Sequence, residues 1–209
     1  KDFGDDPEGL QCVANMRDPA MSGEMSKDSF SACMKDSGYG LLGHGSFRSA
    51  YSIPNRNDII IKFVSPRLIK GGESFASKAR KMNEREATGI FQTSSKLVVR
   101  VYDAADDFLW IKSEKVTPIK SWAEMIKYFP VLERSMKNMN VPKIFPALLR
   151  RDPHKELASI YQDPLLIDIV DLLKKFDAPT WDIRPSNVGY VTRDGEKQFV
   201  ILDPGFGLP

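Results

Sequence analysis

The sequence predicts an α+β fold, with antiparallel strands and one helix in the first half and mainly helices in the second. Three observations carry that prediction. Runs rich in β-branched and aromatic residues, Ile59-Ile60-Ile61-Lys62-Phe63-Val64, Leu97-Val98-Val99-Arg100-Val101-Tyr102 and Phe108-Leu109-Trp110-Ile111-Lys112, are separated by turn-forming residues. Between the first two runs, Phe75, Ala79, Met82, Glu86 and Ile90 recur at spacings of three to four and so share one helix face. Further on, Leu165, Leu166, Ile169, Val170, Leu173 and Phe176 form an apolar stripe at helical spacing.

Taken in order, residues 1–39 mix Gly, Pro, Ser, Met and Asp and read as an appendage with one short helix over 28–35, ended by Gly38. Residues 41–52 form a glycine-punctuated run that leads through Pro54-Asn55-Arg56-Asn57-Asp58 into the 59–64 strand, a strand-turn-strand pattern. After Gly71-Gly72 comes the helix with the Phe75 to Ile90 stripe, in which Glu86 is the one charged member. Two strands over 97–102 and 108–112 follow, with the acidic turn 103–107 between them. Past Pro118 the character changes to a helix over 122–136, interrupted near Pro130, and then to the 165–176 helix, with Asp163 as N-cap and Pro164 as first helical residue. A β-hairpin closes the sequence, 187–191 and 199–202 about the turn Thr192-Arg193-Asp194-Gly195.

Composition narrows the classes. At 209 residues, 28% charged and 42% apolar, the chain can bury a core without disulfides or metal staples. Thirty Lys and Arg against 28 Asp and Glu leave a net charge of +2, too small by itself to point to nucleic acid or a membrane surface. Any anionic ligand must therefore be held locally. The two cysteines, Cys12 and Cys33, lack zinc-site spacing and fit a reducing compartment. No stretch reaches the roughly 18 apolar residues of a membrane span, and the start, Lys1-Asp2-Phe3-Gly4-Asp5-Asp6, is acidic where a secretory signal is basic, so a cytoplasmic location is expected.

The chemistry-bearing residues begin with Gly43-His44-Gly45. Glycines let backbone amides approach phosphate oxygens, although for this loop taken alone a glycine-bearing hairpin is the simpler reading. Lys62 lies inside an apolar strand, where an ammonium needs an anion unless it faces solvent. Glu86 on the following helix can supply that partner; Glu84 is a rival, and a plain helix salt bridge to Lys81 or Arg80 is the alternative for Glu86. In Trp181-Asp182-Ile183-Arg184-Pro185-Ser186-Asn187, an Asp and an Asn five positions apart can divide labour, the carboxylate accepting a hydroxyl proton and the amide oxygen binding a metal. Arg184 would add positive charge where a transferring phosphoryl group develops negative charge. Asp203 ends an apolar strand that would return it beside Asn187, two hard oxygen donors suited to Mg²⁺.

The order of glycine loop, strand Lys, helix Glu, Asp-x₄-Asn and strand-end Asp resembles the protein-kinase superfamily from about residue 40 to the end. The Phe47-x-x-Ala50-Tyr51-Ser52 segment and Asp203-Pro204 are similar more narrowly to the early serine/threonine protein kinases of podovirus-type bacteriophages. The resemblance implies a bilobal protein-kinase-like fold, with an antiparallel N-lobe over 40–115 carrying one αC-type helix and a reduced, mainly helical C-lobe over 116–209. It implies that Gly43 and Gly45 cover the ATP phosphates, that Lys62 binds the α/β-phosphates with Glu86 as ion-pair partner, and that Asp182 takes the substrate hydroxyl proton. Asn187 and Asp203 would hold Mg²⁺, Arg184 would occupy the basic position before Pro185, and 114–116, from Glu114 to Val116, would be the hinge whose backbone pairs with adenine.

The implied activity is an ATP- and Mg²⁺-dependent protein kinase acting on Ser/Thr of host bacterial proteins, with no nucleic-acid or membrane partner. A small-molecule kinase of the aminoglycoside or choline type and a binding-only pseudokinase are the alternatives. The sequence departs from the pattern at Arg48, which replaces the third loop glycine, at Thr180-Trp181 before Asp182, and at Pro204. Asp2-Phe3-Gly4 spells a kinase triplet in the wrong place. Six residues follow Asp203 in a sequence of 209, so either the family is minimal or the chain is shortened, and peptide recognition is the property most affected.

Overall fold

Why the N-terminal residues fold is visible first in their caps. In a computed structural model of the chain, which describes residues 6–18, 25–66, 73–88, 96–128, 164–175, 185 and 187–202, a short 3₁₀ turn (Pro7–Gly9) leads into α1 (Gln11–Arg17), and α2 spans Lys27–Asp36. Ser26 and Ser29 form a reciprocal capping box at the start of α2. Gly38 ends it at φ +87°, with Gly38 N donating to Lys35 O and Tyr39 N to Met34 O, a Schellman closure that favours glycine.

The chain divides into two units, Lys1–Thr93 with Arg100–Lys115, and Ser94–Val99 with Val116–Pro209. The first is built on a five-stranded antiparallel sheet of β1 (Gly40–His44), β2 (Arg48–Ser52), β3 (Ile59–Val64), β4 (Val101–Ala104) and β5 (Trp110–Glu114), in the order β1-β2-β3-β5-β4. Helix α3 (Glu73–Ala87) lies between β3 and β4 in sequence. The α+β class expected from the sequence holds, and this unit contains the expected antiparallel sheet and one long helix.

Register decides which side chains share a face. Ala50 pairs with Lys62 and Arg48 with Val64, so Arg48, Ala50, Lys62 and Val64 project to one side, while Tyr51, Ile61 and Phe63 project to the other. That second face packs against the N-terminal helices. Phe30 of α2 meets Tyr51 and Phe63 edge-to-face at ring separations of 5.9 and 5.3 Å, and Cys12, Val13, Met16 and Met34 join the same buried cluster. The segment read as an appendage therefore supplies a layer of this unit's core. Its composition hides this, because the few apolar residues it has are concentrated on one side of two short helices.

Two strands begin later than the sequence suggests. The runs expected at 97–102 and 108–112 appear as β4 over Val101–Ala104 and β5 over Trp110–Glu114. Leu97 and Val98 are instead captured by the second unit, where Ile201 N donates to Leu97 O and buried Arg193 donates to the carbonyls of Lys96 and Val98. The turn moves with them: Phe108 adopts φ +54° and Leu109 N is capped by Asp107.

In the second unit, β6 (Thr117–Pro118), β7 (Val188–Arg193) and β8 (Glu196–Ile201) form a three-stranded antiparallel sheet. Asp194 and Gly195, both at positive φ, make the two-residue turn of the β7–β8 hairpin. At Gly189 a Cβ would lie 2.5 Å from the carbonyl oxygen of Thr117, so the β6–β7 approach admits glycine alone. Helix α4 spans Trp122–Tyr128 and α5 spans Pro164–Lys175, with Leu166, Ile169 and Leu172 buried. The expected continuation of α4 to 136 and the N-cap at Asp163 lie outside the described residues. Among the described residues no helix is long and apolar enough to cross a membrane.

Candidate active site

Lys62 stands in the middle of β3, flanked by apolar residues and only 7% exposed. An ammonium buried to that degree requires an anion. The helix provides it: Lys62 Nζ lies 3.1 Å from Glu86 Oε2, and Glu86 is 8% exposed. Glu84 is exposed, which removes it as the rival, and the pairing of Glu86 is with the sheet and not with Lys81 or Arg80. The helix face that meets the sheet is Ala79, Asn83 and Glu86, all buried, whereas Met82 is half-buried. The expected stripe is therefore rotated by about one residue toward Asn83.

The other carboxylate oxygen of Glu86 is also engaged. Arg48 Nη2 donates to Glu86 Oε1 at 2.5 Å and Arg48 Nη1 to Asn83 Oδ1 at 3.2 Å. Asn83 in turn donates from Nδ2 to the carbonyl of Phe108 at 2.8 Å. One carboxylate thus receives two cations from adjacent strands, and one amide links the helix to the β4–β5 turn. Neither Arg48 nor Asn83 stood out as a site residue in the sequence, where Arg48 registered only as a departure from the glycine pattern. Strand parity was the available signal for Arg48, since an arginine paired two positions from the Lys62 partner must face the same way; for Asn83 it was its place one turn before Glu86.

Gly43 lies within β1 and Gly45 begins the turn to β2. Gly45 N donates to Arg48 O at 2.7 Å, which closes the hairpin, and a Cβ at Gly45 would come within 3.3 Å of that same carbonyl. At Gly43 no protein atom lies within 4 Å of where a Cβ would sit. His44 Nδ1 and Ser49 Oγ, cross-strand partners, are 2.8 Å apart. Glu114 ends β5 with its side chain buried; Glu114 N donates to Arg100 O at 2.9 Å, Glu114 Oε2 accepts from Arg100 N at 3.3 Å, and Lys115 N donates to Asp58 O at 2.8 Å. Val116 packs in the second unit with Val99, Val191 and Val200.

In that second unit Asn187 precedes β7, and its carbonyl accepts from Leu202 N at 2.8 Å. The hairpin register, with Val188 opposite Ile201, thereby returns the residue before Asp203 to Asn187. Asp182, Arg184 and Asp203 themselves lie outside the described residues. Among the described residues no cluster of three His, Cys, Asp or Glu side chains could hold a metal ion.

No protein-family model and no curated protein matches the chain. Among solved structures it is similar to the kinase domain of PknI from Mycobacterium tuberculosis, a double mutant, at a TM-score of 0.40 and 19% identity. The match covers 81% of this chain and 59% of that domain.

Proposed function

We propose that the chain is an ATP- and Mg²⁺-dependent phosphotransferase that phosphorylates Ser/Thr hydroxyls of proteins. The observation that carries this reading is the buried Lys62–Glu86 pair at 3.1 Å, on a strand next to the glycine hairpin. A lysine paired with a helix carboxylate on an otherwise apolar strand is suited to bind the α/β-phosphates of a nucleotide. Open space at Gly43 leaves room for phosphate oxygens to approach the backbone of the hairpin. Because the amides of Glu114 and Lys115 are used within the protein, adenine pairing at the expected hinge would fall to Val116 N–H and to carbonyls of the same segment.

In the reaction, the substrate hydroxyl oxygen forms a bond to the γ-phosphorus as the bond from that phosphorus to the β–γ bridging oxygen breaks, and ADP leaves. Asp182 accepts the hydroxyl proton, and Arg184 offsets negative charge on the transferring group. Mg²⁺ would neutralise charge on the phosphates; Asn187 and Asp203 would hold it, a reading supported by the backbone bond between Leu202 and Asn187 and by the hard oxygen chemistry of both side chains. The Phe47-x-x-Ala50-Tyr51-Ser52 segment and Asp203-Pro204 support the narrower reading of a phage-type kinase that acts on host bacterial proteins.

Incubation with γ-labelled ATP, Mg²⁺ and bacterial lysate tests the proposal. Wild type should label lysate proteins, and Asp182→Ala and Lys62→Ala should each lose labelling by at least a hundredfold. Undiminished labelling in either variant overturns the assignment. Nucleotide binding without any transfer by wild type leaves the binding-only alternative standing.

A further inference from the structure

We propose that Arg48 is a positioning residue that locks Glu86, and with it helix α3, against the sheet, so that the Lys62 site stands assembled before any nucleotide or modification arrives. The purpose of the lock rests on the proposed function; the lock itself rests on geometry. Arg48 is 8% exposed, and its main chain is fixed by the Gly45 N to Arg48 O bond at the turn of the β1–β2 hairpin. From there its guanidinium crosses to α3 and donates to two residues one turn apart, Glu86 Oε1 at 2.5 Å and Asn83 Oδ1 at 3.2 Å. A planar fork can bridge two acceptors on one helix face at once; a lysine ammonium at that position is a single point charge.

Because the two oxygens of Glu86 are divided between Arg48 and Lys62, the carboxylate stays anchored when Lys62 Nζ turns toward an anion. Movement of α3 away from the sheet would strip Arg48, Lys62 and Glu86 of these partners while they are buried, which low-dielectric surroundings oppose. The Asn83 to Phe108 bond extends the same tie to the β4–β5 turn. The residue that breaks the glycine pattern thus replaces loop freedom with a cross-link between the hairpin turn and the helix.

The test is amide hydrogen exchange in α3 of the nucleotide-free full chain, together with KM for ATP and kcat, in Arg48→Met, Arg48→Lys, Glu86→Gln and the Arg48→Met/Glu86→Gln double variant. A lock predicts that Arg48→Met speeds exchange at 79–87 by at least tenfold while β5 amides keep wild-type rates. It also predicts that KM rises by a larger factor than kcat falls, because only the assembled fraction binds nucleotide. Arg48→Lys should recover part of the protection, and the double variant should accelerate exchange by less than the product of the two single effects, since Arg48 and Glu86 act through a shared bond while the Arg48–Asn83 bond is lost in addition. Wild-type exchange in Arg48→Met, equal acceleration across the whole sheet, or additive effects in the double variant would each overturn the lock. Exchange needs no activity, so freed α3 amides in Arg48→Met without phosphate transfer by wild type would retain the lock and remove the kinase reading.

Discussion

The side-chain amide of Asn83 donates to the carbonyl of Phe108 at 2.8 Å, joining the middle of α3 to a turn residue held at φ +54°. Asn83 is fully buried, and its oxygen simultaneously accepts from Arg48. Replacing it with leucine keeps the bulk but leaves the Phe108 carbonyl without this donor and Arg48 with one acceptor fewer. Asn83→Leu should lower unfolding free energy by about 1–3 kcal/mol, the cost of stranding a buried polar group. Urea denaturation compared with Met82→Leu, a volume-conserving change on the neighbouring position, checks this.

Glu86 and Glu84 differ by two positions and by everything that burial implies. Glu86→Gln removes a carboxylate shared by Lys62 and Arg48 and should cost about 3–5 kcal/mol, the range for breaking a buried ion pair. Glu84→Gln, on the exposed face, should stay within about 0.5 kcal/mol of wild type. Thermal or urea unfolding of the two variants separates them.

The N-terminal helices should behave as core. Phe30→Ala removes a fully buried ring that touches Tyr51 and Phe63, and a loss of about 3–5 kcal/mol is expected for such a truncation. A variant that unfolds within error of wild type would mean that the first 39 residues do not support the sheet.

Burial pushes the Cys12 thiol up to about 12 from an ordinary 9.0, with the neighbouring Cys33 acting in the same direction. The folded state therefore favours the neutral thiol. Its contribution to stability is complete below pH 9 and is lost as pH rises from there toward 12, because only the unfolded chain ionises readily in that window. Cys12→Ala should flatten that part of the pH–stability curve, and Cys12 in the folded protein should alkylate far more slowly than in denaturant.

Asp107 titrates in the opposite sense. Burial alone would raise its carboxyl, but hydrogen bonds from Arg17 and from Leu109 N, with the charges of Arg17 and Arg80, hold it below the usual carboxylate value. Its contribution is present above the usual value of 3.8 and is lost as pH falls through the lower folded value. Acid should loosen α1, and Arg17→Met should lower the protection factors of α1 amides at pH 5 and leave less protection to be lost on acidification.

Much of this was legible in the sequence because local rules and tertiary packing agree. Gly38 and the Asp194-Gly195 pair mark turns that need positive φ, and the β3 run with Lys62 inside it points to a buried pair with Glu86. What was not legible depended on long-range competition. Leu97 and Val98 have strand composition, yet Ile201 and Arg193 claim their carbonyls, so β4 begins only at Val101. Likewise Arg48 looks like a defect in a glycine loop until the β2–β3 register sets it beside Lys62 on the face that α3 covers. The N-terminal helices do not show as core in the sequence because their average composition is polar while Cys12, Val13, Met16, Phe30 and Met34 converge on one surface.

The most direct measurement is calorimetric titration of the full chain with Mg²⁺-ATP, wild type beside Lys62→Met, in which the Arg48–Glu86 pair is kept. Saturable binding by wild type and at least a tenfold weaker affinity in the variant are expected, with unchanged secondary structure. Equal affinity in the two proteins, or no binding by wild type, would contradict the assignment of Lys62 as the phosphate-binding residue of this chain.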